Sequence, residues 1–570
     1  TLQDTFDNGS PTLTLTAGTL NMNGQTVNIG SFNSSNTNVR TLTLGASSIT
    51  VTYPAGWNMS TTTNLTFNVN TSTITISAAT TVFRGGGLTY NNVSFTGSGS
   101  LTVYHSNTFA NLTRTGTAAK TDTLICLLNQ TITGTLTING NSATNRVLVL
   151  SNVLGTARTL TAAAASFSNC DFQDITAAGV AAPFTGTSIG NALGNTSITA
   201  TTAVTRYWMA VSGGSWSATS SWSATSGGAT GATVPLCHDT VFIDANSITS
   251  ASRTITADMP RLGARIDFTG VLNTPAFSIT QPVATAASSS VYGLLTWVSG
   301  MTITAGGNAL VFGSRSSVTF TTGGLTADIP ISIVSFGGTI TQSGNLTTGD
   351  TRTFTLTNGT YSLNNNNLTT GLFSSDNSNT RTLTMGSGTI ALTGTGTVWS
   401  MATVTGLTLN ANTSTIKITN TSATARTFAG GGKTYNNFWS SAGAGTATLT
   451  ITGSNTFNDF RDDGSAAHSI LFTAATTTTV TTFTVSGTSG NLITIGSVTA
   501  ASHTLTKAGG GTISSDYLSI SRSTATPATT WYAGVNSTDG ANNSGWIFTA
   551  QQVATITGIS SITGLSTITL

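Results

Sequence analysis

The sequence predicts an all-β protein of the parallel β-helix or β-solenoid class, built from tandem duplicated modules, and three observations lead to this prediction. Only 6% of the 570 residues are charged, and every acidic residue is Asp. Short segments alternate apolar and polar residues with a period of two, and one long segment occurs twice in the same order. Together these features indicate strands, tight corners and internal repetition.

The composition disfavours long helices and favours strands. Glu is absent and Lys is rare, whereas Thr, Ser, Asn, Gly and Val dominate, and these residues suit strands and the turns between them. Disordered chains are poor in β-branched residues, which abound here. At 38% hydrophobic residues the chain can bury a long core, yet its length exceeds the usual limit of about 250–300 residues for one compact core. We therefore expect an elongated or modular arrangement.

Short strands follow one another along the chain and are separated by Gly, Asn and Ser corners. Each strand is marked by two apolar residues one position apart, which places both side chains on one face. Examples are Leu13/Leu15, Val27/Ile29, Leu42/Leu44, Ile49/Val51, Ile74/Ile76 and Leu101/Val103. A coil of such strands cannot cover its own apolar face, so stacking on the next coil is required. Strand and corner in alternation therefore predict a solenoid.

A long segment of the first half recurs in the second half. The run Asn38–Gly45 reappears as Asn379–Gly386, and Thr89–Asn92 reappears as Thr434–Asn437. The offset grows from 341 to 345 positions between these runs, as expected if insertions accumulate at corners while strands persist. We infer two large tandem copies.

Changes of composition predict the domain boundaries. We assign 1–205 to a first solenoid module, 206–264 to a Trp- and Gly-rich opening of the next module, 265–548 to a second solenoid module, and 549–570 to a distinct tail or linker. Because the first copy has no segment like 206–264, we expect its opening to be missing and the natural chain to extend upstream.

Charge and cysteine content argue against several classes of partner. A net charge of +2 offers no basic patch for nucleic acid and no polybasic membrane anchor, and no apolar run approaches the roughly 20 residues of a membrane span. Cys126, Cys170 and Cys237 lack zinc-ligand spacing and are interpreted as isolated core residues. No dense Asp motif for calcium is present. We therefore predict no metal, no cofactor, no nucleic acid and no membrane.

Several segments together resemble the large repetitive β-helix proteins of tailed bacteriophages, and similar segments occur in secreted bacterial surface proteins. The resemblance is carried by Trp216–Ser223, the aspartates of Asp239–Asp244 and the ending Trp531–Phe548. The resemblance covers about 206–548, and it includes the first module because that module is a duplicate of part of this region. It implies a parallel β-helix, often a trimeric fibre or spike, and it transfers no catalytic residue.

Phage spikes of this style often cleave polysaccharides with two carboxylates about 5–9.5 Å apart, so close aspartate pairs are the first candidates for chemistry. The sequence contains Asp171/Asp174, Asp239/Asp244 and Asp462/Asp463. The odd spacing of Asp239 and Asp244 would place them on opposite faces of a strand, so we interpret them as turn caps. We interpret Asp462/Asp463 as a solvated turn. His238 beside Asp239 is the only suggestive histidine, and we predict no catalytic residue.

Aromatic residues near the module ends form the predicted glycan-contact set, because large amphipathic rings can stack on sugars. The candidates are Trp208, Trp216, Trp222, Trp531 and Tyr532. A second interpretation, which we favour, is that they plug the apolar interior at an open end of a solenoid.

The function predicted from these features is that of a structural and adhesive fibre, spike or surface-decoration protein of a bacteriophage. Such a protein would lie on the virion surface or outside the cell, contact other virion proteins and bind a glycan or receptor of the host surface. A homo-oligomer, with a trimer suggested by analogy, is expected. The alternatives are a polysaccharide-degrading tailspike enzyme and a secreted bacterial surface adhesin.

Overall fold

The structure, a computed structural model, describes residues 1–280, 290–304, 308–441, 443 and 445–551. It confirms the predicted all-β class: parallel strands stack as a β-solenoid of about 23 turns. Over the described residues the only helical element is the 3₁₀ turn Thr219–Ser221. Within these residues the strands form no antiparallel sandwich, which is the arrangement that would have contradicted the prediction.

The chain divides into two compact units, each described by itself. The first contains Thr1–Gly344 with Asn358–Thr360, and the second contains Asn345–Thr357 and the chain from Tyr361 onward. This division falls inside the predicted module 265–548. Of the predicted tail 549–570, positions 552–570 lie outside the described residues.

The first unit begins with a stack whose strands lie within 1–205. Its strands are Phe6–Asp7, Thr12–Thr14, Gly18–Asn21, Thr26–Ile29, Ser31–Asn33, Arg40–Thr43, Ser48–Val51, Trp57–Asn58, Leu65–Asn68, Thr73–Ile76, Thr81–Arg84, Thr89–Phe95, Ser100–Tyr104, Thr108–Thr115, Thr123–Cys126, Gln130–Asn139, Val147–Ser151, Arg158–Gln173, Ile175–Ala178 and Thr187–Asn191.

A second stack of the first unit follows. Its strands are Thr205–Trp208, Gly214–Ser215, Trp222–Ser223, Thr240–Phe242, Thr254–Ala257, Arg261–Asp267, Ala276–Ile279, Ser290–Thr296, Thr302–Thr304, Leu310–Phe312, Val318–Thr321, Thr326–Asp328 and Ile331–Ser343. Tyr207 pairs antiparallel with Ser223, whereas Thr240–Phe242 pairs parallel with the strand of the next coil. The segment 206–264 is thus continuous with the stack that it opens.

The second unit is a further stack of the same kind. Its strands are Leu346–Thr348, Thr353–Ser362, Leu368–Thr370, Leu372–Ser374, Arg381–Thr384, Thr389–Leu392, Gly396–Ser400, Leu407–Asn410, Thr415–Ile418, Arg426–Ala429, Thr434–Ser440, Leu449–Thr452, Thr456–Asp462, His468–Phe472, Thr477–Thr484, Ile493–Ser497, His503–Lys507, Ile513–Ser514, Leu518–Ile520, Ser523–Thr526, Trp531–Tyr532, Thr538–Asp539 and Trp546–Ile547.

The coils close their core by placing like residues above one another. Thr73–Ile76 pairs in parallel with Ser48–Val51 on one side and with the Asn92–Phe95 part of the next strand on the other. Ile74 is therefore held between its counterparts in the neighbouring coils and is 1% exposed. The intervening Thr side chains point outward, as the period of two predicts.

The two copies bury an arginine in the same way. Arg40 and Arg381 are each 1% exposed, although a buried cation requires many partners. Their acceptors are the carbonyl oxygens of Ser34, Asn38, Thr61 and Thr63 in the first copy and of Ser375, Asn379, Thr403 and Thr405 in the second. The guanidinium thus ties successive corners together at equivalent places in both units.

A buried tryptophan and tyrosine pair is also repeated. Trp57 Nε1 donates to the hydroxyl oxygen of Tyr90 at 3.3 Å, and Trp399 Nε1 donates to that of Tyr435 at 3.2 Å. Each tyrosine hydroxyl then donates to the carbonyl of the first glycine in a Gly-Gly-Gly corner. These glycine runs are turns, as predicted, and the second glycine, Gly86 or Gly431, has a φ of 68° or 62°.

Within the first unit the two stacks pack side by side. His238 contacts Asn191, Arg261 contacts Asp171, and Phe336 lies against Gly155. The predicted succession of modules did not anticipate this lateral packing.

Candidate functional site

The three tryptophans of the module opening form a closed cluster. Trp208, Trp216 and Trp222 are each 0% exposed, and the ring centroids of Trp216 and Trp222 lie 4.8 Å apart. Trp222 Nε1 donates to the carbonyl of Trp216 at 2.7 Å. No ring face is left for a sugar, so the glycan-contact prediction is wrong for these three residues. Their geometry is that of the plug.

The aromatic pair at the other end of the sequence is also largely enclosed. Trp531 is 0% exposed, packs on Trp546 with centroids 5.1 Å apart, and donates through Nε1 to the carbonyl of Thr526. Only Tyr532 is partly exposed. Trp531 is therefore also corrected to a core residue, and Tyr532 alone remains available from the predicted set.

Asp171 joins the two stacks of the first unit. Its carboxylate lies 2.6 Å from Arg146 Nη2 and 2.6 Å from Arg261 Nε, and all three side chains are at most 3% exposed. Burial alone would raise the pKa of this carboxyl, but the charges and hydrogen bonds of the two arginines outweigh burial and lower the pKa to about 2. Such a group holds no proton to donate near neutral pH. Its role is structural.

Asp174 has a separate arginine and borders an apolar cavity. Its carboxylate lies 2.5 Å from Arg315 Nη2 and accepts a hydrogen bond from the Gly155 amide at 3.0 Å. The cavity has a volume of about 570 Å³ between the two stacks of the first unit. Its lining includes Ile125, Leu127, Leu150, Leu154, Val311 and Val334. Asp171 and Asp174 are thus held by different arginines.

The next pair caps turns, as predicted. Asp239 is 1% exposed and accepts from the amides of Val204 and Leu236, whereas Asp244 accepts from Asn246. His238 does not contact Asp239 through its ring. Its Nδ1 accepts from the Asn191 amide at 3.0 Å and its Nε2 lies 2.7 Å from the carbonyl of Thr201, which defines a neutral tautomer.

Asp462 differs from the predicted solvated turn. It is 5% exposed and lies 3.1 Å from His468 Nε2, while His468 Nδ1 lies 2.8 Å from the carbonyl of Ala466. Asp463 is partly exposed beside Arg461 at 3.8 Å. The prediction is wrong for Asp462 because the corner folds this side chain inward, onto the histidine of the following strand.

The His468–Asp462 pair predicts a pH-dependent stability. Burial lowers the pKa of His468, but its contacts with Asp462 and the Ala466 carbonyl outweigh burial and raise it above 6.5. The pair therefore stabilises the fold fully below pH 6.5, and this contribution is lost as the pH rises through the folded-state pKa. We expect Asp462→Asn to cost about 1 kcal/mol more at pH 6 than at pH 9.

Denaturant unfolding of both proteins at the two pH values measures this difference. Burial lowers the pKa of His503 to about 4, so the pH dependence of stability that it contributes has the opposite sign. This contribution is the same in both proteins and therefore cancels in the difference between them. An equal cost of Asp462→Asn at pH 6 and pH 9 would contradict the assignment.

The three cysteines are free and buried, as expected for isolated core residues. Burial raises the pKa of the Cys126 thiol to about 12, so it is not a reactive thiolate. Over the described residues, no group of three or more His, Cys, Asp or Glu side chains is placed to hold a metal ion.

One exposed cluster was missed by sequence reasoning. Of nine tryptophans, only Trp439 is not buried. Lys417 Nζ lies 3.6 Å from the centroid of the Trp439 ring, and Arg461 Cζ lies 4.5 Å from the ring centroid. Lys417, Trp439 and Arg461 occupy matching positions on three successive coils of the second unit. We call these three residues the cation–aromatic column.

The column borders a shallow groove of about 310 Å³ in the second unit. The groove is lined by Asn367, Thr369, Thr389, Ala391, Thr415, Lys417 and Trp439. Lys417 is its only charged lining residue. Among the part of the chain that is described, no carboxylate forms an ion pair with Lys417.

The signal that could have found the column is the period of two. Phe438 matches the inward Val93 of the first copy, so the following residue must point outward. The first copy has Ser94 where the second has Trp439, and Thr75 and Thr113 where the second has Lys417 and Arg461. Those first-copy residues also lie one above another on successive coils.

Comparison with known proteins adds no relative. No family model matches the chain, and neither a curated protein nor a solved structure matches it. Within the described residues, no helix has the length and apolar character needed to cross a membrane. The class that the fold defines is therefore a parallel β-solenoid repeat protein.

Proposed function

We propose that this chain is a structural and adhesive component of a bacteriophage fibre, spike or surface decoration, which contacts a glycan or protein of the host surface. The bacteriophage context rests on the sequence resemblance alone. The adhesive role has support from the chemistry of the outward faces of the solenoid.

The observation that carries the proposal is an outer surface of uncharged hydroxyl and amide ladders. Asn58 Nδ2 donates to Asn33 at 3.2 Å, and Asn111 Nδ2 donates to Asn92 at 2.9 Å, in each case between side chains of neighbouring coils. Groups of this kind both donate and accept, so they match the hydroxyl groups of a sugar. A chain with only 6% charged residues suits contact through hydroxyl and amide groups better than electrostatic capture.

The enzyme alternative has less support from the geometry. A glycosidase needs two carboxyl groups facing one bound sugar. The cavity beside Asp174 and the groove beside Lys417 are together lined by a single carboxylate. Asp171 and Asp462 are committed to buried ion pairs.

Location on a particle tests the proposal. We expect gold-labelled antibodies against the intact chain to mark fibres or spikes of phage particles in electron micrographs, because an adhesin must stand at the surface. Labelling of the envelope of uninfected bacteria instead would favour the secreted adhesin. Release of reducing sugar from host capsule by the purified chain would favour the enzyme.

A further inference from the structure

From the cation–aromatic column we infer that the second unit binds an acidic polysaccharide, with a uronate carboxylate against Lys417 and neighbouring sugars along the adjoining groove. This inference rests on the proposed adhesive function and adds a ligand class and a location. It begins from three side chains that the first copy does not share.

The geometry holds a cation ready for a ligand. Trp439 keeps the Lys417 ammonium 3.6 Å from its ring, and the preceding coil supplies only Ala391 at the matching position. A cation over an aromatic ring is attracted to it yet keeps its N–H donors free. The ammonium is therefore positioned at the end of the groove, where it can donate to an anion.

The groove supplies partners for neutral sugar hydroxyls. Thr389 and Thr415 are paired on adjacent coils. Asn367 lines the same groove, and its Oδ1 accepts a hydrogen bond from the Thr389 amide at 2.9 Å. Coils repeat every 4.7–4.9 Å or so, close to the length of one pyranose in an extended polysaccharide. Successive sugars can thus meet the same kind of side chain on successive coils.

The charge distribution favours a ligand that needs one cation over nucleic acid, which needs several. Arg461 is 46% exposed, but Asp463 lies 3.8 Å from it and Asp459 lies on the same strand. Asp459 accepts a hydrogen bond from Thr482. Nucleic acid binds through several phosphates held by several cations, and the two aspartates beside Arg461 oppose that here. An acidic polysaccharide can place one carboxylate at Lys417 and hydroxyl groups along the rest of the groove.

The pattern of the duplication indicates a specialised surface. The first copy keeps the hydroxyl column Thr50, Thr75, Ser94 and Thr113 on four successive coils. At these positions the first copy forms its coils with hydroxyl side chains alone, without a cation or an aromatic ring. The second copy therefore has no structural need for Lys417, Trp439 and Arg461, since the same scaffold folds with Ser and Thr.

The test measures binding of the full chain to polygalacturonate, with neutral dextran as the comparison, by affinity electrophoresis at low and high salt. We expect retardation by polygalacturonate, weakened by salt, and little by dextran. Changing the column to its first-copy residues, K417T or W439S, should weaken binding by about tenfold, the loss of one good charged contact. The matched control is K433T, which removes a lysine whose Nζ donates to the Leu407 carbonyl outside the column.

Each outcome is decisive once circular dichroism shows that the variants keep their strand content. If polygalacturonate binds equally to the wild type and to both column variants, the inference fails while the adhesive function stands. If neither polymer binds, the inference fails, and loss of all glycan binding also counts against the adhesive function. Equal or tighter binding of DNA, or of vesicles containing anionic lipid, at the same column would overturn the polysaccharide assignment.

Discussion

Replacing Asp171 with alanine is expected to lower the free energy of unfolding of the first unit by about 3–5 kcal/mol. The substitution leaves Arg146 and Arg261 with uncompensated charges, and both side chains are 3% exposed. Removing one member of a buried ionic group is costly because the remaining charges have been taken out of water. Denaturant unfolding measures the loss, and hydrogen exchange should show it in Val147–Ser151 and Arg261–Asp267.

An ion pair in the same unit whose arginine is exposed provides the control. Arg265 and Asp267 also form an ion pair at 2.7 Å, but the Arg265 side chain is 46% exposed, so Arg265→Ala should cost less than about 1 kcal/mol. Replacing Asp171, Arg146 and Arg261 together by apolar residues of similar size should recover most of the loss, because no buried charge then remains. Equal costs for Asp171→Ala and Arg265→Ala would contradict a buried triad.

The triad also adds an acid dependence. The pKa of Asp171 is lowered from 3.8 to about 2 in the folded protein, so its contribution is present above the unfolded pKa and is lost as the pH falls toward 2. The lateral packing of the two stacks should therefore weaken at strongly acidic pH before the coils themselves separate.

The coils could be predicted from sequence because their information is local. Ile74 and Ile76 mark an inward face within four residues, and the same alternation of apolar and polar residues recurs in both copies. The copies also preserve their buried polar groups, so Arg40 and Arg381 could be paired before their carbonyl partners were known. Local period and duplication thus determine how each coil closes.

The side-by-side packing could not be predicted because its information is not local. Asp171 and Arg261 are 90 positions apart and meet only where the two stacks pack side by side. Each residue alone has an unremarkable sequence context. Only the folded arrangement shows that Arg146 and Arg261 share one carboxylate.

The scarcity of charge gives these few ionic residues distinct roles. The charges of Asp171 and Asp174 are matched by arginines across the two stacks of the first unit, and Arg381 lies among backbone carbonyls in the second. Lys417 differs because its ammonium faces an aromatic ring at a groove. Because Lys417 lies in no ion pair among the described residues, this surface cation is informative.

Residue type alone led to the wrong prediction that buried tryptophans contact a glycan. The exposed fraction of the side chain separates these residues from Trp439. Trp222 is 0% exposed within the plug, whereas Trp439 is partly exposed in the cation–aromatic column. The two can therefore be compared by the same substitution. One should affect stability, and the other should affect binding.

We expect Trp222→Ala to lower the free energy of unfolding of the first unit by about 3–5 kcal/mol, because it removes a buried indole and leaves a cavity beside Trp216 and Trp208. Hydrogen exchange should rise first in Thr205–Trp208. The matched control, Trp439→Ala, should cost about 1 kcal/mol or less, since half-exposed cation–π contacts contribute little. A stable Trp222→Ala protein that loses glycan binding would restore Trp222 as a contact residue, because an indole that only fills a core cannot be removed without a cost in stability.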